Sequence, residues 1–280
     1  MAEKTAKESF PGAIKKADAF FYEGDGVRKG KADIIREVPF AVRLNGKHLV
    51  TLACAGIHLR ELAVGHLYAE GWIRDRNDIT SIRLAKNSVS VRTRNGPGQQ
   101  HPVASPRPAS GVPSVKTIGS SGARLSGRKS GRPERRAATF ALTPARVYAL
   151  MRALLASSEL HESTRGTHCS GIADPDRLIA AREDIGRHNT LDMLAGLSVL
   201  EGLDLSGKIL LTTGRISSEM ILKAGWMGIS FLVSHSAPTT EAVASAGKRG
   251  MTLCCSVRGN RMRVYAGGRR VSGLRGPRAE

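Results

Sequence analysis

Apolar and polar positions alternate most clearly in EVPFAVRLNGKHLVTLAC (37–54), with Asn45-Gly46 at its centre. An Asn-Gly pair between two apolar runs predicts a β-hairpin. In HLRELAVGHLYAEGWI (58–73) the period lengthens, placing Leu59, Leu62, Ala63, His66 and Leu67 on one helical face, with Gly71 as the stop. SIRLAKNSVSVRTR (81–94) predicts a second hairpin around Lys86-Asn87. Before these lies a polar segment, 1–33, read as flexible. After them, 95–138 is rich in Gly, Ser, Pro and Arg and shows no apolar period. Order resumes in LTPARVYALMRALLASSEL (142–160), where Thr143 as N-cap and Pro144 at the first helical position predict a helix start.

From there strands and helices alternate. LIAAR (178–182), KILLTTG (208–214), SFLVSH (230–235), TLCCSVR (252–258) and MRVYA (262–266) predict strands. HNTLDMLAGLSVLEG (188–202), SSEMILKAGWMG (217–228) and TTEAVASAGKRG (239–250) predict the helices between them. Such alternation predicts a layered α/β domain with a largely parallel sheet. The organisation expected is therefore a β-rich subdomain over 34–94, a basic loop over 95–138, an α/β domain over 139–267 and a basic tail over 268–280.

In such sheets ligands sit at the carboxyl ends of the strands. TRGTHCSG (164–171), REDIGRHN (182–189), TTGRISSEM (212–220) and SHSAPTT (234–240) lie at those junctions and combine small residues, hydroxyls and Arg or His. Helix starts with free N–H groups suit anions, and Arg187 and Arg215 can add charge-assisted bonds to phosphate. Each residue also has a plainer reading. Ser217 and Ser218 are ordinary N-caps. Glu183 and Asp184 are either acid/base groups or partners of a helix dipole. His168 and His188 are either proton shuttles or scaffold. Gly186 and Gly214 serve backbone geometry.

The 280 residues suggest one large domain or two small ones, with 41% apolar and only 4% aromatic content. The net charge of +19 calls for an anionic partner. It is concentrated: 101–137 carries eight Lys or Arg against Glu134, and 257–280 carries seven Arg against Glu280. No signal-peptide pattern and no membrane-length apolar run is seen, so a cytoplasmic location is expected. The four cysteines, Cys54, Cys169, Cys254 and Cys255, form no C-x-x-C and no zinc spacing.

REDIGRHNTLD, TTGRISSEM, SHSAPTTEAV and SVRGNRMRVYA, preceded by EVPFAVRLNGKHLVTLAC and ELAVGHLYAEGWI, resemble the formate dehydrogenase accessory sulfurtransferases of the FdhD/NarQ family. The resemblance covers about 34–94 and 140–266. It implies a cytidine-deaminase-like, three-layer fold for the larger domain. It also implies that sulfur passes from a cysteine desulfurase to the molybdenum bis-guanine-dinucleotide cofactor of formate dehydrogenase, on a homodimeric protein. The stretch Ser256, Val257, Arg258, Gly259, Asn260 and Arg261 is similar to the family's cofactor-contacting segment. Arg187, His188, Gly214, Arg215, Ser217, Ser218 and Ser236 complete the expected cofactor-binding set. Deaminase chemistry itself is excluded, because it requires H-x-E and P-C-x-x-C zinc signatures. His168-Cys169-Ser170 and Pro238-Thr239-Thr240 fit neither, and no zinc is expected.

One element of the family pattern is missing. Where the family carries C-G-x-C-G or T-x-G-C-G, this chain has Thr117-Ile118-Gly119-Ser120-Ser121-Gly122, with Ser120 in place of the cysteine. A hydroxyl cannot bear sulfane sulfur, since transfer requires a thiolate. Three readings stay open. Cys169, beside His168 in an expected active-site loop, replaces the carrier, or it is an inert thiol. The protein is a cofactor-binding chaperone without sulfur transfer. Or it is a degenerate paralogue. Cys54, Cys254 and Cys255 are expected in the core. Nucleic-acid binding is a different class that the charge permits, but no recognised motif and few aromatics accompany the basic residues.

Overall fold

The computed structural model describes residues 12–94 and 140–273. The first element departs from the sequence expectation. Ile14–Glu23 (β1) and Gly26–Ile35 (β2) form a two-stranded antiparallel ribbon where a flexible segment was expected. Gly24, at φ +60°, opens its two-residue turn. The ribbon's base is anchored: Ile14 and Ile35 pack on Ala13, Ala55, Ile57 and Leu160. Its far end leaves Phe20 and Tyr22 exposed.

Both hairpins in the next stretch form as expected. Val38–Leu44 (β3) and Lys47–Cys54 (β4) turn through Asn45 and Gly46, both at positive φ. After Leu59–Ala69 (α1), Ile79–Ala85 (β5) and Ser88–Thr93 (β6) pair antiparallel. β6 joins β3 in parallel, giving a four-stranded sheet ordered β4-β3-β6-β5. Alternate residues Phe40, Val42, Val89 and Val91 turn inward onto Leu62, Ala63 and Leu67 of α1.

The larger unit begins with Pro144–Ala156 (α2), capped as expected by the Thr143 side chain, which accepts from the Arg146 N–H. A short helix follows, Glu159–Thr164 (α3). Then come His168–Ala173 (β7), Leu178–Asp184 (β8), Arg187–Glu201 (α4) and Ile209–Thr212 (β9). Ser218–Trp226 (α5), Phe231–Ser234 (β10), Thr240–Lys248 (α6), Thr252–Arg258 (β11) and Arg261–Ala266 (β12) complete it. The six strands are ordered β12-β11-β10-β9-β7-β8.

The sheet is mixed rather than largely parallel. β9, β10 and β11 are parallel neighbours, but β7 is antiparallel to both of its neighbours and β12 is antiparallel to β11. The extra strand β7 contains the residues expected to form an active-site loop. Because β7 reverses direction, β8 through β11 still run the same way, and their carboxyl ends share one edge.

Alternation within each strand feeds two cores. Leu210, Leu232 and Leu253 meet α4, α5 and α6 on one face. Ile209, Leu211, Phe231 and Val233 meet α2 on the other. The result is three layers, helices on both faces of one sheet. The two units join where α1 crosses α4. A Cβ on Gly65 would overlap the Asp192 carbonyl, and one on Gly196 would overlap the Glu61 carbonyl, so only glycine permits this approach. Met193 and Val199 of α4 extend the small sheet's core.

Candidate functional site

The shared edge is built by buried hydroxyls. Ser170 of β7 lies within hydrogen-bond distance of Thr212 Oγ1, at 2.9 Å, and of Thr190 Oγ1, at 2.7 Å. Thr190 donates to the Arg187 carbonyl at 2.7 Å, and Thr212 accepts from the Gly214 N–H at 3.1 Å. Ser234 donates to the Gly214 carbonyl at 2.7 Å and accepts from the Ser236 N–H at 2.9 Å. The Ser236 carbonyl then accepts from Ser256 N at 2.8 Å. This chain of bonds ties together the start of α4, the turns after β9 and β10, and the irregular end of β11. The sequence reading missed Ser170, Thr190, Thr212 and Ser234. For Thr212 and Ser234 the signal was a hydroxyl closing an apolar strand run; Ser170 and Thr190 carried none.

Below them, two buried carboxylates secure the backbone. Glu183 accepts from the N–H groups of Leu160 and His161 at 2.9 and 2.8 Å, and from the Thr167 hydroxyl at 3.1 Å. Asp184 accepts from Ala55 N at 2.8 Å, Gly186 N at 2.9 Å and Asn189 Nδ2 at 2.7 Å. Burial pushes Asp184 up to about 6, against the pull of those donors. Both carboxylates are occupied by scaffold bonds, which favours their structural reading over an acid/base role.

Above this floor lies a basic rim. The aliphatic stem of Arg187 passes over Gly214, where a Cβ would come within 2.9 Å of Arg187 Cβ. Burial, and then the like charge of Arg215, lower Arg187, while Glu219 opposes them. His168 is lowered by burial and then by Arg187, His161 and Arg215. His235 is lowered by burial, Arg258 and His161. These mutual effects bring Arg187, Arg215 and Arg258 together with His161, His168 and His235 along the carboxyl edge of the sheet. His168 and His235, both lowered, stay neutral at pH 7, and the arginines carry the charge. The arrangement suits an anion with several oxygens.

The expected set separates on inspection. Arg187, Arg215, His168, Ser217, Ser218, Ser236 and Arg258 lie at the edge with Gly214 beneath, and His188 is buried behind them. Ser217 caps α5 through the Met220 N–H. Gly259 and Asn260 form the exposed turn between β11 and β12, and Arg261 is exposed beyond it. Ser256 holds φ +54°, rare for a residue with a side chain, at the irregularity that ends regular β11 pairing. Val257 is 1% exposed and packs in the core, so its side chain is not available to a ligand.

Cys169 is also corrected. It is not in a loop but in β7, with no exposed surface, and burial pushes its thiol up to about 12. His168 precedes it on the strand, so the two side chains face opposite ways. The imidazole therefore does not activate the thiol. Cys54, Cys254 and Cys255 are fully buried as expected, each pushed up to about 12. Cys254 and Cys255 enter opposite cores. Ser120 lies outside the described residues. Among the described residues no three His, Cys, Asp or Glu side chains are placed to hold a metal ion, and no helix is long and apolar enough to cross a membrane.

Comparison with known proteins then decides the family. The sequence model of the FdhD/NarQ family matches residues 35–272. The chain belongs to the FdhD/NarQ family. A sulfur carrier protein FdhD from Bacillus pumilus is 32% identical, covering 93% of this chain and 98% of its own length. One from Bacillus subtilis is 30% identical, covering 91% and 96%. The solved structure of a formate dehydrogenase accessory protein from Desulfotalea psychrophila superposes with a TM-score of 0.74, covering 92% of this chain and 99% of that one at 23% identity. The family match over 35–272 takes in the four- and six-stranded sheets of this FdhD/NarQ chain, its α1–α4 crossing and the basic rim.

Proposed function

We propose that this FdhD/NarQ protein serves formate dehydrogenase by binding its guanine-dinucleotide molybdenum cofactor, as client, at the basic rim. The observation that carries this reading is the convergence of Arg187, Arg215 and Arg258 with the starts of α4, α5 and α6 on one edge of the sheet. A dinucleotide's pyrophosphate offers the oxygens that such a site neutralises. Guanine-nucleotide affinity tests it. Arg215→Ala and Arg258→Ala should each weaken GDP binding about ten-fold in a calorimetric titration, since a charge-assisted bond contributes roughly 1.5–3 kcal/mol. Equal, weak binding of GDP and AMP that neither substitution changes would refute it. The layered helix–sheet–helix arrangement supports the kinship with cytidine deaminases. The cytoplasmic setting, the homodimer and the desulfurase partner belong to the same reading.

Two forms of this service are possible, carrying sulfur or holding the cofactor. The burial of all four cysteines favours the second. Persulfide formation requires an accessible thiolate, and no cysteine here offers one. An intact-mass measurement after anaerobic incubation with a cysteine desulfurase and cysteine decides between them. Wild type and Cys169→Ala should gain no sulfur, whereas Ser120→Cys should gain one atom. A sulfur adduct on wild type, lost in Cys169→Ala, would reinstate Cys169 as carrier.

A further inference from the structure

Away from the rim, a cavity of about 310 Å³ opens where three connections of the small unit meet. Its walls come from the base of the β1–β2 ribbon, from the loop between β4 and α1, and from the β5–β6 turn. Part of the lining is apolar and well buried: Ala13, Val38, Ala55 and Ile57 are each less than a tenth exposed, and Leu59 adjoins them. The rest is cationic. Arg36 and Lys86 line it, both exposed, with Asn87 beside Lys86, and no acidic side chain stands among the lining residues.

These walls are held by bonds made outside the cavity. Arg36 donates its backbone N–H to the Ala13 carbonyl and its Nη1–H to the Gly12 carbonyl, both at 2.8 Å, which leaves most of its guanidinium fork uncommitted. The Asn87 carbonyl accepts from the Ala41 N–H at 2.9 Å, pinning the β5–β6 turn to β3. On the loop after β4, the Ala55 N–H is held by Asp184 and the Ala53 carbonyl by Asn189. Gly56 follows at φ +82°, already close enough to Val38 that a Cβ would stand 3.2 Å from its Cγ2. The lining is therefore formed before any ligand arrives.

Its chemistry selects a ligand class. Two cations in a concavity with apolar walls reinforce each other's field and repel a further cation. The volume lies at the small end of ligand pockets, about 300–1,000 Å³, which are mainly apolar with a few placed polar groups. A bare inorganic anion would leave the apolar lining unused, and a neutral apolar molecule would leave the two charges uncompensated. A carboxylate on a short apolar body suits both parts. Its oxygens match the Arg36 fork, the Lys86 ammonium and the Asn87 amide, and its body replaces water against Val38, Ile57 and Leu59.

We propose that this cavity binds a small organic acid, a carboxylate with a short branched apolar body, either free or as the last residue of a peptide. The site stands independently of the rim, since no rim residue lines it.

Amide NMR on the full chain tests it, with 4-methylpentanoate as the probe, neutral 4-methylpentanamide as its control, and a Gly-Ser-Leu tripeptide for the peptide source. The acid should shift the N–H signals of Gly12, Ala13, Gly56, Ile57 and Asn87 saturably, and the amide should bind at least about ten-fold more weakly, as loss of a charge-assisted bond implies. Lys86→Ala, in an exposed turn, and Arg36→Gln, which keeps a donor for the Gly12 carbonyl, should each weaken the acid by a similar factor without moving the melting temperature. Gly12→Leu should abolish binding by filling the space; a Cβ there meets nothing nearer than Arg36 Nη1 at 3.9 Å, so the fold has room for it. Tighter binding of the tripeptide at these signals would name a peptide terminus as the source, and tighter binding of the free acid a free molecule; either supports the site. Equal binding of acid and amide, unchanged affinity in Lys86→Ala and Arg36→Gln, shifts confined to the starts of α4 and α5 on the rim, or no saturable shift with either carboxylate would overturn it.

Discussion

The backbone N–H of Ala55 donates to Asp184 Oδ2 across 2.8 Å, a bond between residues 129 positions apart. It joins the end of β4 in the small sheet to the end of β8 in the large one. Asn189 doubles the link by donating to both the Ala53 carbonyl and Asp184. Every polar group facing Asp184 here is a donor. Asp184→Asn would turn an amide N–H₂ against one of them, and the loss expected is about 2–4 kcal/mol. Chemical denaturation at pH 7 measures it.

The same carboxyl gives stability a pH dependence of known sign. Its folded value of about 6 stands above the ordinary carboxylate range, so the folded state holds the proton more tightly than the unfolded one. The contribution is present below the unfolded value, near pH 4, and is lost as pH rises through about 6. Urea midpoints measured from about pH 4 to 7 should show this downward trend in wild type. The trend should flatten in Asp184→Asn; an unchanged slope would contradict the assignment.

The four cysteines should be silent toward thiol reagents. All are buried and shifted up to about 12, so native protein should react with a disulfide reagent at the rate of unfolding. Four thiols should appear on addition of denaturant. A rapid native reaction of one thiol, located by peptide mass, would reopen the question of a carrier.

Ser256 holds a left-handed conformation with a side chain attached. Relief of that strain predicts that Ser256→Gly is neutral or stabilising by up to about 1 kcal/mol. Ser256→Val, branched at Cβ, should destabilise. If Ser256 also touches the client, GDP affinity will fall in the glycine variant while the melting temperature does not.

At the α1–α4 crossing, Gly65→Ala or Gly196→Ala should cost more than 3 kcal/mol, because each new methyl meets backbone rather than a side chain that can turn aside. Thermal unfolding of either variant is the measurement.

Much of this fold was legible because its signals are local. The Asn45-Gly46 hairpin, the Thr143-Pro144 helix start and the strand–helix alternation after residue 178 each rest on neighbours in sequence. The β1–β2 ribbon was missed although its Gly24-Asp25 turn is a hairpin signal. Lysines and aspartates fill its faces, and Lys16–Asp33 and Lys31–Asp18 pair across strands rather than marking a solvated tail. β7 was missed because His168, Cys169, Ser170 and Gly171 lack the apolar pattern of a strand, being held instead by hydroxyl bonds to β9 and α4. At the site, the arginines were legible as types at strand ends. The Asp192–Lys223–Glu219–His188 chain was not, since it gathers residues from two helices whose side-chain pairing no spacing reveals.

The glycine crossing carries a mechanical consequence. Shear between packed helices works through a layer of side chains that hop between rotamers as one element slides past the other. Gly65 and Gly196 leave no such layer, for backbone rests on backbone. The two sheets are therefore geared together as one rigid frame. Displacement of the small sheet is passed directly to α4, whose first turn carries Arg187 and His188.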